Sequence, residues 1–339
     1  MVQYLPYSDE LGNPDTLTLS LVGIGKPALC PNATIETVNN GSWTSPSTWN
    51  TLAWPPSSAV PGPNDIVRIN NGHTVTAPSS TIKVKALCIN KEGTLVSKNA
   101  LGSPLRVDAK DFITNKGTIK GKKGCNGLVP IAANPSIRSK KGIDDSLALQ
   151  PLCRNPRRGA SVYLTAGKVC YSPWSLDKPV LSLRNSRRLG PAPFPYYRCY
   201  YNGQFDNSGT ITAGKGGSGI RGQSGGYVSI RAGDMTFNAQ SGPPSSCGMP
   251  GSLCAGDGGN SSTGPAGWGG SLFVMAGKKG PFVTPTTASS LSARKTRFQA
   301  GYGRHDGRIR LIADNKAFSS VALIAGGPIY IDPTGHDNF

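Results

Sequence analysis

Short alternations of apolar and polar residues run through most of the chain. IVRI (66–69) and HTVT (73–76) alternate and are separated by the turn Asn70-Asn71-Gly72. A period of two puts alternate side chains on one face, so each reads as a half-buried strand. IKVKALCINKEGTLVS (82–97) and LRVDAKDFITNKGTIKG (105–121) follow one plan: an alternating strand, a polar turn, then Gly-Thr and an apolar residue. The units Gly93-Thr94-Leu95 and Gly117-Thr118-Ile119 are 24 residues apart, a reasonable length for one solenoid coil. The unit returns as Asn207-Ser208-Gly209-Thr210-Ile211. Further strands are expected at 227–239, 271–277, 308–314 and 321–331. The pattern predicts an all-β fold, a parallel β-helix in first place and a β-sandwich or jelly roll as the alternative.

Four regions follow from this pattern. Residues 1–40 form an N-terminal arm. Within it TLTLSLVGI (16–24) reads as one strand, with Leu17, Leu19 and Leu21 on its apolar side and no obvious local hairpin partner. It pairs with its own domain or adds to a neighbouring subunit. Residues 41–121 carry a capping segment and the first coils. Residues 122–205 are a long basic insertion with four cysteines, and residues 206–339 are glycine-rich coils.

The capping segment has a recognisable texture. Gly41-x-Trp43, Pro46-x-x-Trp49, Pro61-Gly62-x-x-Asp65-x-Val67-x-Ile69 and Gly72-His73-Thr74-Val75 resemble the start of the eight-glycine domain of secreted and cell-surface proteins. They are also similar to the N-terminal coils of bacterial and viral right-handed β-helices. The resemblance covers about forty residues well and implies an extracellular, right-handed β-helical protein. It brings no catalytic residues, because the matched positions are structural. Trp43 and Trp49 are placed to cap the apolar end of a solenoid.

Composition narrows the partners. With 36 Lys and Arg against 18 Asp and Glu, the net charge is +18. Such a surface attracts acidic partners: nucleic acid, anionic polysaccharide, an acidic lipid face or an acidic subunit. The insertion concentrates this charge in pairs such as Arg187-Arg188, and ends in the aromatic run with Tyr196, Tyr197, Tyr200 and Tyr201. Tyr and Arg are enriched at contact hot spots, so these residues, with Leu17, Leu19 and Leu21, are the interface candidates. The same mixture fits glycans or nucleic acid. No run reaches the length of a membrane helix.

The eight cysteines (Cys30, Cys88, Cys125, Cys153, Cys170, Cys199, Cys247, Cys254) include no C-x-x-C. With three histidines in the chain, a zinc site is not expected. An even count in a loop-rich chain points to disulfides and an oxidising environment; the spacing leaves the pairing open. No signal peptide is apparent in the first fifteen residues.

Two nucleotide-like motifs overlap between 207 and 233. Gly209, Gly214 and Lys215 give G-x-x-x-x-G-K, and Gly217, Gly219 and Gly222 give G-x-G-x-x-G. The first lacks the following Ser or Thr hydroxyl, and neither is followed by a helix-forming sequence. The glycines are expected to serve tight turns with positive φ and close backbone packing. His305-Asp306 reads as an exposed turn. Asp108, Asp111, Asp234 and Asp257 are scattered acids that nothing in the pattern places on one face. The reading is therefore a structural, non-enzymatic protein of an extracellular assembly (virion, tail, fibre or surface filament) that needs no cofactor. Its alternative is a glycan-binding or polysaccharide-cleaving surface protein.

Overall fold

The computed structural model describes residues 3–8, 14–19, 30, 32–52, 59–98, 102–127, 155–171, 198–239, 244–277 and 289–332. The chain divides into two compact units, Met1–Pro31 and Asn32–Phe339. In the first, Gln3–Ser8 and Pro14–Leu19 form an antiparallel hairpin with Leu17 opposite Leu5 and Leu19 opposite Gln3. The strand expected to lack a local partner therefore has one. The apolar run 16–24 hid this because its partner strand, QYLPYS, contains a proline and does not alternate cleanly.

The second unit is all-β, with no α-helix among the described residues. Its strands form a 14-stranded and an 8-stranded sheet, almost wholly parallel. The repeat inferred from sequence is the register of the smaller sheet. Thr94 pairs with Thr118, 24 residues on, and Thr118 pairs with Thr210. The long strand Leu105–Asn115 is the branch point of the larger sheet. Its first half pairs with Val162–Ala166 and its second with Gln204–Asn207, with a register shift between Ala109 and Phe112. From there two rows of strands diverge. One runs Val162–Ala166, Val228–Ala232, Leu272–Ala276, Ile309–Ile312, Ile329–Asp332. The other runs Gln204–Asn207, Asp234–Asn238, Ser290–Arg294, Asn315–Ser319.

Alternation buries one side of the strands inside the stack, as in Val228, Ile230 and Ala232. Between the sheets, Phe237 packs on Phe205 and Phe298 at centroid distances of 5.6 and 5.4 Å. Asn115 donates to Asn207 Oδ1 at 2.7 Å, so neighbouring passes pair their buried amides. At the start of the stack, Trp49–Thr51 runs antiparallel to Ile35–Thr37 and closes the sheet. Trp43 and Trp49 lie there edge to face at 5.0 Å, and the Trp49 indole donates to the Trp43 carbonyl at 2.9 Å. Beside them Arg68 and Asn70 donate to Glu36. Burial opposes the Glu36 charge, but those hydrogen bonds and the charge of Arg68 outweigh it and lower its pKa.

Ile35–Thr37, placed in the arm by sequence, belongs to this sheet. The segment 122–205 is likewise not all excursion, because Val162–Ala166 sits in register between Leu105–Asn115 and Val228–Ala232. The antiparallel pair Lys168–Tyr171 and Arg198–Tyr201 branches off beyond it.

Candidate functional site

The glycine-rich segments pack beside the sheets as a third element. The segments 121–127, 213–219, 255–260 and 300–304 form one column. The segments 156–160, 222–227, 265–270 and 305–308 form another. Hydrogen bonds recur every third residue. Gly121, Gly124 and Gly127 donate to Thr212, Lys215 and Ser218; Gly222, Gly225 and Val228 donate to Pro265, Trp268 and Ser271. Within a column the segments run parallel. Between columns they run antiparallel, as Ala160 to Lys122 and Arg157 to Cys125 illustrate. A three-residue period is that of an extended polyproline II-type turn, which makes no hydrogen bonds within itself. Its amides are satisfied here by neighbouring segments.

One line of bonds crosses the whole array at 2.8–2.9 Å: Gly214 to Ala160, Gly226 to Gly214, Gly256 to Gly226, Gly270 to Gly256 and Gly301 to Gly270. A Cβ on Gly256 would overlap the Gly214 carbonyl, and one on Gly226 the Ala160 carbonyl. Glycine is required there by closeness alone. Left-handed backbone is found instead at Gly72, Gly102, Gly167, Gly248 and Gly251, so positive φ does not explain the 207–233 stretch. Neither nucleotide-like motif precedes a helix.

Some outward amides of the array meet short polar side chains of the preceding pass. Ser218 N donates to Asn126 Oδ1, Asn260 N to Ser218 Oγ, and Tyr302 N to Asp257 Oδ1. On the other column, Tyr227 N donates to Ser161 Oγ and Arg308 N to Ser271 Oγ. That column's outer face continues into the outer face of the first strand row, and together they form the candidate site. Arg106, Tyr163, Ser229, Phe273, Arg310 and Tyr330 are successive register partners across it. The Arg106 guanidinium lies 4.8 Å from the Tyr163 ring centroid, and that of Arg231 lies 5.1 Å from the Phe273 centroid. Arg231 also donates to the Tyr201 hydroxyl at 3.2 Å. Arg310 pairs with Asp332 at 2.9 Å. Trp268, 54% exposed, meets His305 edge to face at 5.1 Å. Arg158 and Arg308 are exposed on the same face.

The expected interface residues fare differently. Tyr201 is buried at 3% exposure, with its hydroxyl on Arg231, so its ring is not a surface contact; the hairpin that carries it folds back on the stack. Tyr200 lies opposite Val169 in that hairpin. Leu21, Arg187, Arg188, Tyr196, Tyr197 and Cys153 lie outside the described residues. Cys247 and Cys254 form a disulfide. Cys30, Cys88 and Cys125 are disulfide-bonded as well, and Cys170 lies opposite Cys199 in the hairpin register. Asp108, Asp234 and Asp257 accept hydrogen bonds from Thr165, Ser290 and Tyr302 in adjacent passes. Asp306 accepts from Gly303 N in its own turn.

The ring-and-arginine face escaped the sequence reading. Its members sit one or two to a pass, and only register brings them together. An outward position in each of YVSIRA (227–232) and SLFVMA (271–276), held by an arginine or a phenylalanine, was the available signal. Among the described residues no helix is long and apolar enough to cross a membrane, and no group of three acids, histidines or cysteines could hold a metal. No protein-family model, curated protein or solved structure matches the chain.

Proposed function

We propose that this chain is a structural protein, a right-handed parallel β-helix that builds or decorates an extracellular assembly by joining end to end. Parallel strands linked by long connections favour a right-handed path, and the resemblance of residues 41–76 to eight-glycine and β-helical surface proteins points the same way. Disulfides fit an oxidising, extracellular setting.

The observation that carries the reading is the difference between the two ends of the stack. The first end closes with an antiparallel strand and two packed tryptophans. At the other end, Asn315–Ser319, Ala322–Ile324 and Ile329–Asp332 each pair on one side only among the described residues, as Gly41–Ser42 and Trp49–Thr51 do at the first end. What differs is the cover over the core, where Trp43 and Trp49 are buried. Phe318, Ile329 and Ile331 are inward by register, opposite Ala293, Ile309 and Leu311, yet 36%, 41% and 46% exposed. An unpaired strand edge with an open apolar core is a template for another chain. A second copy presenting the same end satisfies both features in a two-fold contact.

Sedimentation velocity tests this. The intact chain is expected to run as a dimer or larger species at micromolar concentration. Ile329→Lys with Ile331→Lys is expected to release folded monomers. A monomeric intact chain at tens of micromolar would contradict the proposal.

A further inference from the structure

The ring-and-arginine face lies on the side of the stack, reaching the end assigned to assembly only at Tyr330 and Asp332, and goes beyond the scaffold reading. From this face we infer a binding surface for an extended acidic polysaccharide lying across the passes. Five observations converge.

Repetition comes first. Register partners on parallel strands are about 4.8 Å apart, so Arg106, Tyr163, Phe273 and Arg310 form a straight row across the strands. A linear polymer can follow such a row.

Charge comes second. The row and its flank carry Arg106, Arg231 and Arg308 against two acids on the same face, Asp108, which accepts from Thr165, and Asp332, which is already matched to Arg310. The balance favours a polyanion.

Geometry comes third. Arg106 and Arg231 lie over the rings of Tyr163 and Phe273. An arginine held against a ring loses less freedom on meeting a carboxylate or sulfate; Arg106 offers its planar donor fork there, while Arg231 already gives one donor to the Tyr201 hydroxyl.

The fourth observation separates sugar from nucleic acid. Single-stranded nucleic acid binds by stacking bases on free ring faces. Here guanidinium groups cover faces of Tyr163 and Phe273. Trp268, held edge-on by His305, stays open with Tyr227 and Tyr330 at the margins of the face, and the apolar surface of such rings suits the C–H faces of a sugar.

Flatness is the fifth. The row lies on the outer face of a sheet, so one charge meets one arginine in water, where an exposed pair is weak and screened by salt. Many such contacts along one chain add through effective concentration. The ligand is therefore a polymer rather than a free sugar acid.

Co-sedimentation or titration of the full chain with polygalacturonate at low salt tests this. Arg106→Ala with Arg308→Ala is expected to weaken binding at least tenfold while the melting temperature stays within a few degrees. Arg106→Lys restores charge without the fork and is expected to recover part of the loss. Lys123→Ala with Lys215→Ala, on the other column, removes the same charge and is expected to change binding less than twofold. Equal losses from the two double variants would reduce the effect to general charge and overturn the proposal. So would absence of binding to polygalacturonate, or tighter binding of single-stranded DNA of matched charge. A polymer of neutral galactose is expected not to bind; equal binding would also overturn it.

Discussion

The apolar core and the glycine array lie side by side in the stack, and they hold the passes together by opposite means. In the core, Phe205, Phe237 and Phe298 fill the space between sheets with side chains, and the backbone stays at ordinary strand spacing. Along the central line of the array there is no room for side chains. Gly214, Gly226, Gly256 and Gly270 bring backbones together until carbonyl and amide meet across each gap. The core is stabilised by area removed from water. The array is stabilised by satisfied backbone groups, each modest in net value but costly to leave unmet once buried. A core tolerates exchange among residues of similar volume, whereas the central glycines of the array tolerate none, because glycine has no smaller replacement.

The largest effect is expected where that difference is sharpest. Gly256→Ala drives a methyl into the Gly214 carbonyl, with neighbouring backbone on the next side too. It is expected to cost about 4 kcal/mol or more, as only overpacking against fixed backbone does. Phe237→Ala leaves a cavity between two rings and is expected to cost about 3–4 kcal/mol, while Phe237→Leu costs about 1 kcal/mol. Denaturant melts of the three variants check this. A Gly256→Ala change as mild as Phe237→Leu would mean that the array yields and the comparison fails.

A smaller effect separates the two uses of glycine. Gly72 has φ +73° and open space where a Cβ would stand. Gly72→Ala therefore meets only the left-handed backbone penalty, about 1 kcal/mol. The same melts are expected to rank it well below Gly256→Ala. The reverse order would assign the array glycines to conformation instead of closeness.

Much of the sheet architecture was legible because strands announce themselves by alternation. The Gly-Thr-aliphatic units at 93–95, 117–119 and 209–211 stack as their spacing foretold. Trp43 and Trp49 stand at the closed end where they were expected. The array was not legible as such, because its three-residue period was taken for turns. The signal was present in Gly121, Gly124 and Gly127, in Gly216, Gly219, Gly222 and Gly225, and in Gly256 and Gly259. Residues 122–127 and 156–160 were assigned to an excursion for the same reason, since extended glycine segments carry no apolar alternation. The candidate face was invisible for a different cause. Its residues are up to 42 positions apart even between adjacent passes, as Arg231 and Phe273 are, and only folding sets their register.

Amide hydrogen exchange by NMR tests the central claim most directly. Gly214, Gly226, Gly256, Gly270 and Gly301 each donate along one line through the array. If the array is a second core, these amides are protected as strongly as those of Val228–Ala232 and exchange only on global unfolding. Exchange at the rate of an exposed turn would show that the glycine segments are surface loops and would contradict the account.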